Sequence, residues 1–232
     1  MIKFKTNGIL ILFLLVALPK RTFAFWVVNF GTARTLAPHR FGFGAGMGAQ
    51  LVFLGSPQKT SGFFTIPHAG FRLGLAKGID CGLRLAPIPL PFSSVGPGFG
   101  VNLDAKVCFT KPERKVQVAL VPGAGGAHVL IQDQTRLAYS LNIAALTSFH
   151  LNDKLTFTAM GRFVNLVIPT AKGAEAGNYA NISGISVGLR KKITDSISIF
   201  SEVGAYWNDG KLANVVTSGP GFQVGLMIST SF

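Results

Sequence analysis

Residues 219–232 read GPGFQVGLMISTSF. From Phe222 onward every second residue is apolar or threonine: Phe222, Val224, Leu226, Ile228, Thr230 and Phe232. Between them stand Gln223, Gly225, Met227, Ser229 and Ser231. Successive side chains of a strand point to opposite faces, so this is a strand with one apolar and one small or polar face. Terminal residues usually fray, yet here the pattern continues to a final aromatic. Two settings accommodate such a strand: a half-buried sheet in a soluble domain, or a sheet with one face in lipid. The rest of the chain decides between them.

Composition points to the second. Only 13% of the 232 residues are charged, against about 25% in ordinary soluble domains, and the mean hydropathy is positive. No stretch after residue 24 holds the ~18 consecutive apolar residues of a membrane helix. An apolar chain without such a helix satisfies its backbone in lipid as a closed barrel, with hydrophobic residues at every second position. The 28 glycines and 20 phenylalanines suit smooth strands with aromatic rims.

The chain opens with MIKFKTNG, a ten-residue apolar run Ile9 to Leu18, then PKRTFA. Basic flank, short apolar run and the small-x-small Thr22-Phe23-Ala24 predict a cleaved signal peptide over 1–24. The run is too short for an anchor. That segment carries four of the basic residues and no acid, so the net charge of +13 becomes +9 beyond it. A basic exported chain points to anionic headgroups, polyanionic sugars or anionic solutes. No basic run is interleaved with aromatics, which argues against nucleic acid. Residues 25–38 form a lead-in, expected to be periplasmic or to tuck into the barrel, and residues 39–232 form the barrel itself.

Alternation begins at Arg40. Phe41, Phe43, Ala45 and Met47 share one face; Gly42, Gly44, Gly46 and Gly48 share the other. These glycines lie within a strand and lack the strand–loop–helix setting of a nucleotide loop. Further strands are predicted near 65–75, 79–86, 98–109, 115–122, 135–149, 154–166, 182–191 and 196–207, with the closing stretch as the tenth. After the second, fourth, sixth and eighth lie the short polar connections KGI, KPER, HLND and KITDS. After the odd-numbered strands lie the longer segments 54–64, 87–97, 123–134, 167–181 and 208–219. Short turns at one end alternating with long loops at the other is the arrangement of transmembrane barrels. Phe41, Phe109, Phe149 and Phe232 mark one rim; Phe53, Phe99, Phe163, Trp207 and Phe222 mark the other. The third and fifth strands fall short of the ~9–11 residues needed to cross, and Pro87, Pro89 and Pro91 interrupt the third. Eight strands with one hairpin outside the membrane is therefore the alternative to ten.

The inward face carries Arg40, Arg72, Arg84, Lys106, Lys115, Arg136, Arg162 and Arg190 against Asp80, Asp104 and Glu202. A positive bore prefers anions if water passes; the alternative is that these charges pair with one another and fill it. The four histidines, at 39, 68, 128 and 150, lack metal-ligand spacing, and no cofactor is expected. Cys81 and Cys108 fall near the same rim on adjacent strands, but strict alternation puts them on opposite faces. A disulfide between them needs a bulge; otherwise they are two independent small apolar residues.

Signal peptide, alternating strands, loop asymmetry and terminal Phe232 together resemble the small outer-membrane β-barrel proteins of Gram-negative bacteria. The resemblance is to the class and covers residues 40–232. It implies an all-β, up-and-down antiparallel barrel in the outer membrane, in contact with membrane lipids and lipopolysaccharide. It also implies that Phe232 is read by the barrel-assembly machinery. The first functional expectation is a narrow porin-like channel with an anion-preferring lumen. The alternative is a structural or surface-interaction barrel with a plugged lumen, binding lipopolysaccharide or a partner through its outer loops. A lipid A-modifying enzyme is a third reading. Omptin-like proteolysis needs clustered acids, and Asp133, Asp209, Glu175 and Glu202 are scattered, so no catalytic residues are assigned. The oligomeric state is left open.

Overall fold

A computed structural model of the protein describes residues 31–54, 60–88, 95–131, 134–169, 178–212, 215–216 and 218–232. The predicted signal peptide, and the lead-in as far as residue 30, lie outside the described residues. All regular structure among the described residues is β. The strands are β1 (Phe41–Leu54), β2 (Thr60–Ala76), β3 (Ile79–Ile88), β4 (Val95–Cys108), β5 (Val116–Ile131) and β6 (Gln134–His150). They continue with β7 (Leu155–Ile168), β8 (Asn178–Lys192), β9 (Ile197–Leu212), the two-residue β10 (Val215–Val216) and β11 (Gly219–Ser231). Each pairs antiparallel with the next long strand, and β11 pairs with β1 over Gly42↔Ser231 to Val52↔Gly221. The sheet thus closes into an up-and-down barrel of ten staves, with β10 a short extension of the β9 hairpin. Closure gives each of the ten staves a partner on both sides.

Ten staves hold and eight do not, because the two strands that looked short are long enough. β3 has 10 residues and β5 has 16. In β5 the run GAGG after Pro122, part of the segment 123–134 expected above to be a loop, stays in the sheet. A Cβ at Gly123 would sit 2.8 Å from Asn142 Oδ1, and one at Gly125 2.7 Å from Ser140 Oγ. These two glycines give room to their register partners on the adjacent β6 and do not mark a turn. Pro122 lacks an N–H, and the β4–β5 ladder is interrupted beside it, resuming at Val107↔Leu120.

The outward face is apolar from rim to rim. Ile185 is 73% exposed, Leu141 66% and Leu103 61%, and Phe43, Met47, Val203, Val224, Leu226 and Ile228 are also exposed. So broad an apolar surface belongs in hydrocarbon. The predicted rim aromatics all lie on this face. At the long-loop end Phe53 meets Phe222 edge-on, centroids 6.4 Å apart; at the short-turn end Phe41 stacks on Phe71 at 6.1 Å. Terminal Phe232 is exposed, its backbone exchanging hydrogen bonds of 2.9 and 3.2 Å with Phe41 at the closing seam.

Candidate functional site: the occupied bore

The inward residues fall into two walls. On β2–β4 the alternation places Arg72, Asp80, Arg84, Asp104 and Lys106 inside. Arg72 on β2 faces Gly82 on β3, which faces Asp104 on β4. With no side chain at Gly82, the Arg72 guanidinium crosses β3 and reaches Asp104 at 2.7 Å while holding Asp80 at 2.5 Å. A Cβ at Gly82 would meet Arg72 Nη1 at 2.6 Å. Arg84 approaches the other Asp104 oxygen at 3.8 Å. Arg72 and Arg84 are thus paired with Asp80 and Asp104 inside the barrel, as buried ions must be.

The β5–β7 wall is built mainly of small, apolar and hydroxyl residues, with Gln117, Asn142 and Arg162 among them. Ala119, Val121, Ala144, Leu146 and Met160 form one buried cluster, with Cys108 packed against it. Ser148 and Thr158 share a 2.8 Å hydrogen bond.

Residues 31–38 enter the bore from the short-turn end and touch both walls. Ala33 is 0% exposed and belongs to the apolar cluster. Its N–H donates to Ser148 Oγ at 2.7 Å. On the opposite wall the Leu36 N–H donates to Asp80 Oδ2 at 3.0 Å, and Lys106 Nζ donates to the Arg34 carbonyl at 3.3 Å. The strap then turns back at Ala37–Arg40, where His39 takes a positive φ of 63° and its N–H donates to the Gly74 carbonyl. The Ala37 carbonyl lies where a Cβ of residue 74 would go, so only glycine lets the strap pass.

Farther toward the long-loop end, Gln50 donates to Gln223 at 3.4 Å and Gln223 to Glu202 at 3.0 Å. These three are 0%, 3% and 2% exposed. Beyond them Tyr206 lies between Gly184 and Gly221, its partners in register on β8 and β11, and is buried.

Of the residues predicted to face the lumen, Arg72, Arg84, Asp104, Lys106, Arg162, Arg190 and Glu202 lie on the inward register, with Asp80 beside them. Two placements are corrected. Arg40 precedes β1 and Lys115 precedes β5; both are exposed at the short-turn rim, because alternation does not extend past the strand ends. Arg136 pairs with Val129 through its backbone, but its side chain lies outside the described residues. The disulfide is also corrected: Cys81 and Cys108 are free thiols. Cys81 pairs with Ala105 on the lipid side, whereas Cys108 faces inward and approaches Thr110. Among the described residues no three His, Cys, Asp or Glu side chains gather as a metal site. For the strap, the sequence offered only the alternative that the lead-in tucks into the barrel, and for the Gln50–Gln223–Glu202 chain only an inward Glu202; the contacts of both were not foreseen.

No protein-family model matches the chain, and no curated protein matches it. Among solved structures, an outer-membrane channel from Pseudomonas putida F1 is 11% identical, with 88% of this chain and 100% of that one covered and a TM-score of 0.52. The outer membrane protease OmpT of Escherichia coli is 11% identical over 86% and 98% of the chains, TM-score 0.42. The translocator domain of autotransporter NalP from Neisseria meningitidis is 9% identical over 85% and 90%, TM-score 0.45. Identities this low speak to fold alone. In fold this chain is an outer-membrane-type β-barrel.

Proposed function

We propose that the protein is an outer-membrane barrel with a plugged lumen, acting as a structural or surface-interaction element through its long-loop end. The short-turn end then faces the periplasm, as in barrels of this class. The observation that carries this reading is burial in the middle of the bore. Gln50, Gln223 and Glu202 are sealed from solvent, and a residue lining a water-filled channel would be wet. The strap adds a second closure at the short-turn end. Ten staves lie near the size at which side chains fill the interior.

The runner-up is a narrow anion-preferring channel. It is favoured by the described bore charges, in which Arg72, Arg84, Lys106, Arg162 and Arg190 outnumber Asp80, Asp104 and Glu202. Planar-bilayer recording of the refolded protein separates the two. The plugged reading expects no conductance steps. Steady anion-selective steps that reverse preference in Arg72→Glu would replace it with the channel reading. No catalytic residues enter either reading.

A further inference from the structure

Among the described residues, the lipid-facing surface of β3 and β4 carries a dent. Cys81 on β3 and Ala105 on β4 stand side by side in register, and both are small. Phe71, Leu73, Leu83 and Leu103 rise around them, and Pro122 borders them from β5. The open recess holds about 410 Å³ and its walls are almost wholly apolar. It lies beside the interruption that Pro122 makes in the β4–β5 ladder.

The basic charge of the chain gathers at the same end. Lys77 lies in the β2–β3 turn, and Lys111, Arg114 and Lys115 lie in the β4–β5 turn, all exposed. Glu113 is the one acid in those two turns. The β4–β5 turn is fixed: Gln117 Nε2 donates to the Pro112 carbonyl at 2.8 Å, the Arg114 N–H to the Lys111 carbonyl at 3.1 Å, and the Val118 N–H to Thr110 Oγ1 at 3.1 Å. Its cations are thus presented from a built turn. Cys81 lies two residues into β3 from Ile79, and Ala105 three residues before the end of β4 at Cys108, or about 7–10 Å along the strands at ~3.3 Å per residue. Half the hydrocarbon thickness of a bilayer is about 15 Å. The dent therefore sits at acyl-chain depth directly above a cationic headgroup level.

We infer that this face binds an anionic phospholipid of the inner leaflet, one acyl chain in the Cys81–Ala105 dent and the phosphate headgroup on Lys77 and the Lys111–Lys115 turn. Assigning the lipid to the inner leaflet rests on the orientation proposed above; the site itself does not depend on whether the bore conducts.

The test is lipid retention by the full chain. Protein in detergent is equilibrated with equal phosphatidylglycerol and phosphatidylcholine, and bound lipid is counted by native mass spectrometry. The wild type is expected to retain phosphatidylglycerol in clear preference. Lys77→Glu with Lys111→Glu should erase that preference, since each lysine near an anionic surface changes occupancy by about fivefold. Ala105→Phe, which fills the dent, should lower retention of both lipids. Heat-modifiable gel mobility confirms that each variant is folded. Equal retention of the two lipids, or no effect of the charge reversals, overturns the site. Displacement by millimolar inorganic phosphate with Ala105→Phe indifferent also overturns it, leaving a simple anion site. Protease cleavage of the β4–β5 turn on intact cells would instead overturn the orientation and the leaflet, while the retention result stands apart.

Discussion

The two walls of the bore fill the same space by different chemistry. On β2–β4 the interior is held by Arg72, Asp80, Arg84 and Asp104, which need each other's charge to be there at all. On β5–β7 it is held chiefly by Ala119, Val121, Ala144, Leu146 and Met160, which need only contact, with the charged Arg162 among them. The strap reads each wall in its own terms. Ala33 packs into the apolar cluster, while the Leu36 amide and Arg34 carbonyl bond to charged side chains opposite. A barrel interior can therefore be closed by pairing or by packing, and the two modes respond differently to damage.

Removing one partner from the charged wall should cost most. Asp104→Ala leaves Arg72 and Arg84 buried without a shared counter-charge, a loss of about 3–5 kcal/mol. Urea unfolding of the detergent-folded barrel, followed by gel mobility, measures it; a shift no larger than that of a surface variant would show that this wall is wet. On the packed wall Leu146→Ala opens a cavity and is expected to cost about 2–5 kcal/mol, depending on how far the site collapses. If Leu146→Ala is the milder of the two, pairing is the more brittle mode; the reverse order would break the comparison. Smallest is Ser148→Ala, which deprives the buried Ala33 N–H of its acceptor at about 1–3 kcal/mol. Its signature is local: faster amide exchange in residues 31–36 with the staves unchanged. Uniformly faster exchange across β6 and β7 would mean that Ser148 supports the wall and not the strap.

Much of the fold was legible because one face of every stave is apolar, and period-2 alternation survives in residues such as Phe222 to Phe232 without any partner being known. The seam between β1 and β11 follows from that pattern and the even strand count. Less legible was where staves end. The PGAGG run of β5 has the composition of a turn, and only its neighbours Asn142 and Ser140 reveal why glycine is required in a strand. Arg40 and Lys115 were misplaced for the opposite reason, since counting by twos carries no signal that the sheet has stopped. The charged wall could be read as inward from register, but its pairing across Gly82 depends on three strands in space. That the lead-in tucks into the barrel was one of two open expectations, but its contacts were illegible because its bonds to Ser148 and Asp80 are made by its backbone, and a backbone amide leaves no trace in residue identity.

That strap also measures the barrel. The Ala33–Ser148 bond joins positions 115 residues apart, and the Leu36–Asp80 bond ties the same short segment to the far wall. Three residues of chain thus span a fixed chord from β6 to β3. A barrel closed with a hairpin missing, or with β11 slipped along β1, would present the two acceptors at the wrong separation and could satisfy only one amide. The segment that precedes the first stave is in this sense a gauge of circumference, seated in full only when all ten staves have closed in register.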